Sequence, residues 1–501
     1  MQVPLLLLAG LMIFDGLVGP QLAPKNLATV GVWLHYRGWV VLALLAAGNL
    51  FCMACPFMLP RQVSRWLRER LLGGGRNVPA ALRNKWLAAG LLLVFFFSYE
   101  VFSLWSSPWL TAWIAVGYFL VAFLVDTVFR GAAFCKYVCP LGQFNFFGSL
   151  VSPLEIKVRE QAVCAACRTK DCIRGREIAL TPRSNDFSRS AQSKTTEVVT
   201  TKAIRGCELW LFQERKAGNM DCTFCLDCVH ACPYDNVGLI GRTPTAELWS
   251  DSFRSGIGRL SQRLDLAALA TLFVFGSFIN AFAMIRPVYG LRESLARWLG
   301  TSSPVPGLAL IFVAGLVLLP SILLTGAAWL GRVPFVVRPS SFVPPLRQTI
   351  TRYVYALVPL GFGAWLAHYS FHFLTGALTI VPVAQSFLAD VGLYGGAVQW
   401  GMGPLVPTNW LFPIEAAFMY AGATGSLIAA FQIARDQVEN APRPPSSEGS
   451  GISPRLGDRE AVLAAAAPWV ALTLLLLAFG LCVLVQPMEM SGTFMYGLPG
   501  G

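Results

Sequence analysis

The sequence predicts an all-α polytopic membrane protein of about nine transmembrane helices, interrupted by a small α+β insert rich in cysteine. Three observations carry that prediction. The 501 residues are 55% hydrophobic and only 13% charged, with a mean hydropathy of +0.56, more apolar surface than a soluble chain of this length can bury. Charge-poor runs close to the ~20 residues that cross a bilayer recur along the chain. The stretch 131–260 breaks that pattern and holds ten of the 13 cysteines.

Candidate spans lie near 3–19, 37–57, 86–106, 109–129, 266–285, 306–330, 353–373, 410–434 and 462–486. The first opens "MQVPLLLLAG", lacks the basic start of a secretory signal, and reads as a retained helix. This divides the chain into a four-helix membrane domain (1–130), the insert (131–260) and a five-helix membrane domain (261–501). The loop after the second span carries Arg61, Arg65, Arg68, Arg70, Arg76, Arg83 and Lys85 against Glu69 alone. The positive-inside rule makes it cytoplasmic. Alternation then puts the N-terminus, the insert, the 332–352 loop and the Pro/Ser-rich linker 435–461 inside, and the C-terminus outside. Segment 374–409 has no Lys or Arg and falls outside; Arg286, Arg292 and Arg297 fall there too, against the rule. The net charge of +12 is accounted for by membrane orientation, with no nucleic acid implied.

Within the insert, "CTFCLDCVHACP" places Cys222, Cys225, Cys228 and Cys232 in the run C-x2-C-x2-C-x3-C-P. That spacing wraps a cubane iron–sulfur cluster, with the fourth cysteine reaching a neighbouring cluster. Structural zinc draws its ligands from two separated knuckles and fits one continuous run poorly. Upstream, Cys164, Cys167 and Cys172 read C-x2-C-x4-C, and Cys207 stands alone. Crossed ligation assigns one [4Fe-4S] cluster to Cys164, Cys167, Cys172 and Cys232, and a second to Cys222, Cys225, Cys228 and Cys207. His230, inside the run, is assigned to packing or hydrogen bonding around a cluster. The Ser/Thr-rich segment 181–202 lacks apolar periodicity and reads as a flexible inserted loop. Such thiolates need a reducing compartment, so disulfides are not expected.

Four more cysteines sit at span ends. "FCMACPFML" places Cys52 and Cys55 at the inner end of the second span, and "FCKYVCPLG" places Cys135 and Cys139 at that of the fourth. Any one of them alone is most simply a buried structural thiol; four in two Cys–Pro motifs on one face point to a third redox centre, a cluster or another group. Cys482, alone in the ninth span, reads as structural.

A four-helix membrane segment with Cys–Pro motifs ending helices two and four, followed by a two-cluster ferredoxin-like segment, resembles the NapH/NosR-type membrane polyferredoxins over residues 1–260. The first motif is C-x2-C-P here, where the family has C-x3-C-P. The resemblance implies a bacterial-type inner membrane protein passing electrons between the quinone pool, or a soluble ferredoxin-type donor, and a partner protein on the membrane or in the periplasm. Related proteins carrying the same motifs handle or reduce copper for oxidase assembly. An iron–sulfur redox sensor is a third function compatible with these motifs.

Residues 261–501 lie outside that resemblance and carry their own polar features. His368 and His372 stand at i, i+4 on one helix face, and His35 lies at the same outer boundary. Asp15, Glu100 and Glu415 fall in the outer halves of their spans, where carboxylates are costly and mark function. Met488, Met490 and Met495 follow the last span. Imidazoles suit haem iron or copper and thioethers suit Cu(I), so His368, His372, His35, Met488 and Met490 form a candidate outer haem b or copper site; packing is the plain alternative for both sets. About 30 Å of hydrocarbon separates that face from the insert, so communication between them needs an intermediate carrier such as quinone or haem. No C-x-x-C-H motif occurs, which excludes covalent c-type haem, and no G-x-G-x-x-G follows a strand.

Overall fold

The computed structural model describes residues 2–71, 73–180, 200–337, 343–440 and 456–488. The chain is mostly helical. Among the described residues, seven helical segments are long and apolar enough to cross a membrane: Leu27–Ala47, Pro108–Val128, Leu264–Phe282, Val305–Val336, Leu346–Asp390, Thr408–Glu439 and Arg459–Leu484. Gln2–Val18 and Trp86–Val101 are shorter apolar helices. Leu7, Trp113, Ile322, Trp329 and Leu463 point large apolar side chains outward, as a lipid-facing surface does. These features make the chain a multi-pass helical membrane protein.

One expected boundary moves. The second span, placed at 37–57, is the helix Leu27–Ala47, and Cys52 and Cys55 belong to a separate short stretch, Leu50–Ala54, and its end. The break is Gly48, with φ 66°. A Cβ there would come within 2.8 Å of the Phe224 ring, so the cysteine coil of the insert packs against the turn and only glycine fits. Arg286, Arg292 and Arg297 lie on the helix Arg286–Trp298, an amphipathic element that can lie along a membrane surface without crossing it.

Two helices form the centre of the bundle. Leu264–Phe282 and Val358–Gly376 are buried along most of their length. Trp365 is fully enclosed, donates Nε1–H to the Phe273 carbonyl at 2.8 Å and stacks on Phe96 with centroids 5.7 Å apart. The same apolar core takes in Leu44 and Phe96 from the first half, Leu150, Met220 and Leu248 from the insert, and Trp469 from the last helix. The core therefore crosses both chain positions, near 130 and 260, at which the sequence changes character.

The insert has two small antiparallel sheets. In the first, β1 (Leu154–Val158) pairs with β4 (Val237–Gly241), with Leu154 opposite Gly241 and Val158 opposite Val237. In the second, β2 (Arg176–Leu180) pairs with β3 (Thr200–Ile204). Thr200, Thr201 and Lys202, assigned to the inserted loop from sequence, thus begin a strand, while 181–199 lie outside the described residues. Short helices Gln161–Ala166, Asp171–Arg174 and Asp227–Ala231 join these strands.

Buried charges dock the insert onto the helices. Lys85 Nζ donates to Asp221 Oδ1 and to the Lys136 carbonyl, each at 2.6 Å, and its backbone N–H donates to Asp265 at 2.8 Å. Asp265 also pairs with Arg263 at 2.7 Å. Breaking a buried pair from one side leaves a bare charge in a poor solvent and costs about 3–5 kcal/mol. Lys85→Met is therefore expected to lower thermal stability by that order and to expose the cysteine coil to proteolysis. A Tm equal to wild type would show that the pair does not hold the insert.

Candidate redox site

The insert cysteines fold into two groups. Cys164, Cys167, Cys172 and Cys232 line one small pocket together with Pro233 and Lys170. Burial, and after it the neighbouring Cys164, Cys232 and Cys167, push the Cys172 thiol up to about 11 against a backbone hydrogen bond from Gln213. Cys207, Cys222, Cys225 and Cys228 form the second group: the Cys228 thiol is pushed up by burial and then by Cys222, Cys207 and Cys225. The Cys172 carbonyl accepts from Cys207 N–H at 2.8 Å, which puts the two groups back to back. His230 is exposed, and its carbonyl accepts from Arg176 at 3.5 Å.

The backbone around the second group is built for an anion. Asp221, Phe224 and Leu226 all take positive φ, 60°, 57° and 66°, uncommon for side chains of this size. Alternating handedness turns successive N–H groups inward, the concavity that holds iron–sulfur clusters and phosphates. A direct sulfur contact agrees, Leu211 N–H approaching Cys207 Sγ at 3.5 Å, and in the first group Asn236 N–H approaches Cys232 Sγ at 3.4 Å. Among the described residues no three His, Cys, Asp or Glu side chains converge on a single metal ion. The first quartet, set around a pocket, fits a multinuclear body better than one zinc ion, and iron bound at either group would supply the charge that such thiols need to ionise.

The four Cys–Pro cysteines meet at one wall of a cavity of about 650 Å³. Pro140 starts the helix Pro140–Gly148 directly after Cys139, using the position where a missing N–H costs nothing. Cys135 rides on a π-helical turn, Phe134–Val138, a distortion found often at functional sites. Each of three sulfurs accepts one donor: Cys52 from Asn145 Nδ2 at 3.3 Å, Cys139 from Gly142 N–H at 3.1 Å and Cys135 from Arg61 Nη2 at 2.9 Å. Cys52 and Cys55 both reach this wall, so the shortened first motif keeps its two thiols in place. Asn49 Nδ2 donates to the Cys222 carbonyl at 2.8 Å, linking this wall to the insert.

The rest of the cavity is apolar, lined by Leu5, Met12, Phe95 and Phe119 among others, and reaches His35 and Arg37. His35 sits on a second π-helical stretch, Val30–Tyr36. His35 Nε2 and Asn145 Oδ1 are buried without a hydrogen-bond partner. Arg37 is enclosed by the rings of Trp33, Tyr99 and Tyr369 at 4.4–5.0 Å and donates to Tyr99 Oη at 2.9 Å. His368 and His372 stand edge to face with centroids 4.8 Å apart. Both ring nitrogens of His368, Nε2 of His372, and one oxygen each of Glu100 and Glu415 are buried without a hydrogen-bond partner among the described residues.

Other expected members of the outer site go elsewhere. Met488 pairs its backbone with Ile285 and packs in an apolar cluster with Val288 and Val483; the structure does not bring it to the histidines. Met490 and Met495 lie outside the described residues. Asp15, expected as a functional carboxylate, is used structurally, accepting Leu27 N–H at 2.6 Å; Cys482, no part of that site and expected as a buried structural thiol, is instead exposed. Sequence reasoning missed Arg37, Arg61, Lys85 and Asn145. Their signal was hidden, because the cations were counted as orientation charge and a lone asparagine carries no spacing.

The comparisons with known proteins are sparse. The chain is 27% identical over 154 residues to the methylamine utilization ferredoxin-type protein MauN of Methylorubrum extorquens, covering 29% of this chain and 52% of that protein. The chain thus spans about half the length of this curated relative. No family model and no solved structure matches. The partial likeness supports a ferredoxin-type, iron–sulfur character.

The unpartnered histidines generate a prediction from geometry alone. A buried polar group without a partner costs about 1–3 kcal/mol, and leucine is apolar and of adequate size. Without a ligand bound, His368→Leu/His372→Leu is expected to match or exceed the wild-type Tm in detergent. A clear loss of stability would reveal partners for those rings in the free protein.

Proposed function

We propose that this protein is a membrane-bound electron-transfer component holding two [4Fe-4S] clusters, one in each insert quartet, with the Cys–Pro quartet as a third redox centre. Bound clusters of this kind take up and release single electrons. The chain's own residues hold the thiolates in place, exclude water and bring the three quartets close together. The observation that carries the reading is the position of all four Cys–Pro thiols between the Cys222 quartet and an apolar cavity, where an electron from either side meets a thiol-lined wall. That cavity suits the quinone pool as partner: its walls are largely apolar, His35 Nε2 can donate to a quinone carbonyl or accept from a quinol hydroxyl, and Asn145 Oδ1 can accept from a quinol hydroxyl. A soluble ferredoxin-type donor would meet the insert from the cytoplasm, and the partner protein would work at the membrane or in the periplasm.

In this reading nine helices cross a bacterial-type inner membrane, with the N-terminus and insert cytoplasmic and the C-terminus outside. The unpartnered His368 and His372 are placed as an outer site, for a haem or metal or for protons released from a quinol. Copper delivery is less well supported, because Met488 packs away from that pair. A pure sensor would need no cavity at the thiol wall.

Iron and sulfide analysis with EPR on detergent-purified protein tests the reading. Cys225→Ser is expected to abolish one cubane signal while the helices still insert, because one iron loses its soft ligand. Cys482→Ser is expected to change nothing. An unchanged iron content and spectrum in Cys225→Ser would sink the cluster assignment. Topology is tested separately. Reporter fusions between 181 and 199 are expected to be cytoplasmic and fusions after 490 external; the same side for both would remove one crossing and the outer position of the histidines.

A further inference from the structure

We infer that Arg61 is a positioning residue that raises the reduction potential of the Cys–Pro quartet and ties that quartet to the neighbouring Cys207 segment; this rests on reading the quartet as a redox centre. Arg61 belongs to a run of arginines whose evident use is to mark the cytoplasmic side. Its side chain nevertheless turns inward and is 7% exposed. Each of its nitrogens has a different partner. Nη2 donates to Cys135 Sγ at 2.9 Å, Nε to Asp126 Oδ2 at 2.7 Å and Nη1 to Glu208 Oε2 at 3.3 Å. The three partners come from the Cys–Pro segment, the end of the Pro108–Val128 helix and the residue next to Cys207.

The geometry fixes the fork. Asp126 also accepts Phe134 N–H at 3.1 Å, so the same carboxylate orients both the guanidinium and the turn that carries Cys135. Glu208 is shared with Arg65, and its carbonyl accepts Ala132 N–H at 3.4 Å. A planar guanidinium, always charged and rigid, can serve three acceptors at once where lysine cannot. Reduction adds negative charge to a thiolate-bound centre. A buried cation bonded to one of its sulfurs favours the reduced state, and hydrogen bonds to sulfur are among the determinants of such potentials. Glu208 acts in the opposite sense, drawing off part of the guanidinium's field.

The test is an EPR-monitored redox titration of the full-length protein, with the Cys–Pro signal identified as the one lost in Cys135→Ser. Arg61→Gln is expected to shift that signal to lower potential, and Glu208→Gln to shift it to higher potential. Arg61→Lys, which keeps charge without the fork, is expected to fall between wild type and Arg61→Gln. Opposite shifts from the two partners of one contact are not produced by general loosening. Potentials that stay put, or that move the same way in both variants, overturn the inference while leaving the quartet a redox centre. If Arg61→Gln fails to fold, Glu208→Gln and Arg61→Lys decide by the same signs. A spectrum with no signal lost in Cys135→Ser overturns the reading of the quartet, and the inference with it.

Discussion

Lys85 and Asp221 meet at 2.6 Å with side chains 3% and 2% exposed, and much of the molecule hangs on that contact. Asp221 begins the left-handed coil that presents Cys222, Cys225 and Cys228, while Lys85 precedes the helix Trp86–Val101. The Lys85 backbone N–H reaches Asp265, at the start of the most buried helix of the second half. One residue thereby joins both membrane halves to the cysteine coil. In a low-dielectric seam such a pair is strong only because each charge is fully partnered, and losing either partner is costly. The coil's position against Gly48, and so the direction in which the Cys52 segment leaves the membrane, follows from it.

A second set of buried charges repeats the arrangement around Glu247. Arg242 pairs with it at 2.5 Å and Arg254 at 3.5 Å, while Asn219 N–H donates to it at 3.1 Å. Arg352, from the second membrane half, donates to the Leu248 carbonyl at 2.7 Å. The insert is thus held at two edges, near Asp221 and near Glu247, with the apolar side chains of Leu150, Met220 and Leu248 between them. Rigidity at those edges would serve the redox role proposed above, because thiolates holding a cluster must keep their spacing as its charge changes.

What could be read from sequence was local, and what could not was long-range. The cysteine grouping was legible because loop spacing is fixed over a few residues; even the lone Cys207 falls beside Cys222, as crossed pairing required. The apolar helices were legible from length and composition. The boundary at 37–57 was misplaced because the break at Gly48 is set by Phe224, some 175 residues away in the chain. Arg37, Arg61 and Lys85 look alike in sequence, as basic residues at helix ends. Only the fold shows that one is caged by aromatic rings, one is bonded to sulfur and one anchors the coil. Met488 was grouped with the histidines by topology alone, and its backbone pairing with Ile285 takes it elsewhere.

The separation between the two faces also looks different in three dimensions. In the topology proposed above, the clusters and the histidine pair lie on opposite faces, and electrons would not pass directly between them across about 30 Å of hydrocarbon. The cavity bears on that gap, since its lining includes Cys52, Cys55, Cys135 and Cys139 as well as His35 and Arg37. The ring of Phe373, one residue beyond His372, stands 5.8 Å from that of His35, so the histidine pair begins just past the cavity's end. Arg37 links the two, since its guanidinium lies over the ring of Tyr369, a cavity residue next to His368 in the chain. A lipophilic carrier held in the cavity would therefore stand between thiols and imidazoles without crossing the bilayer. On the function proposed above, a quinone held there would exchange electrons at the thiol side and protons at the imidazole side.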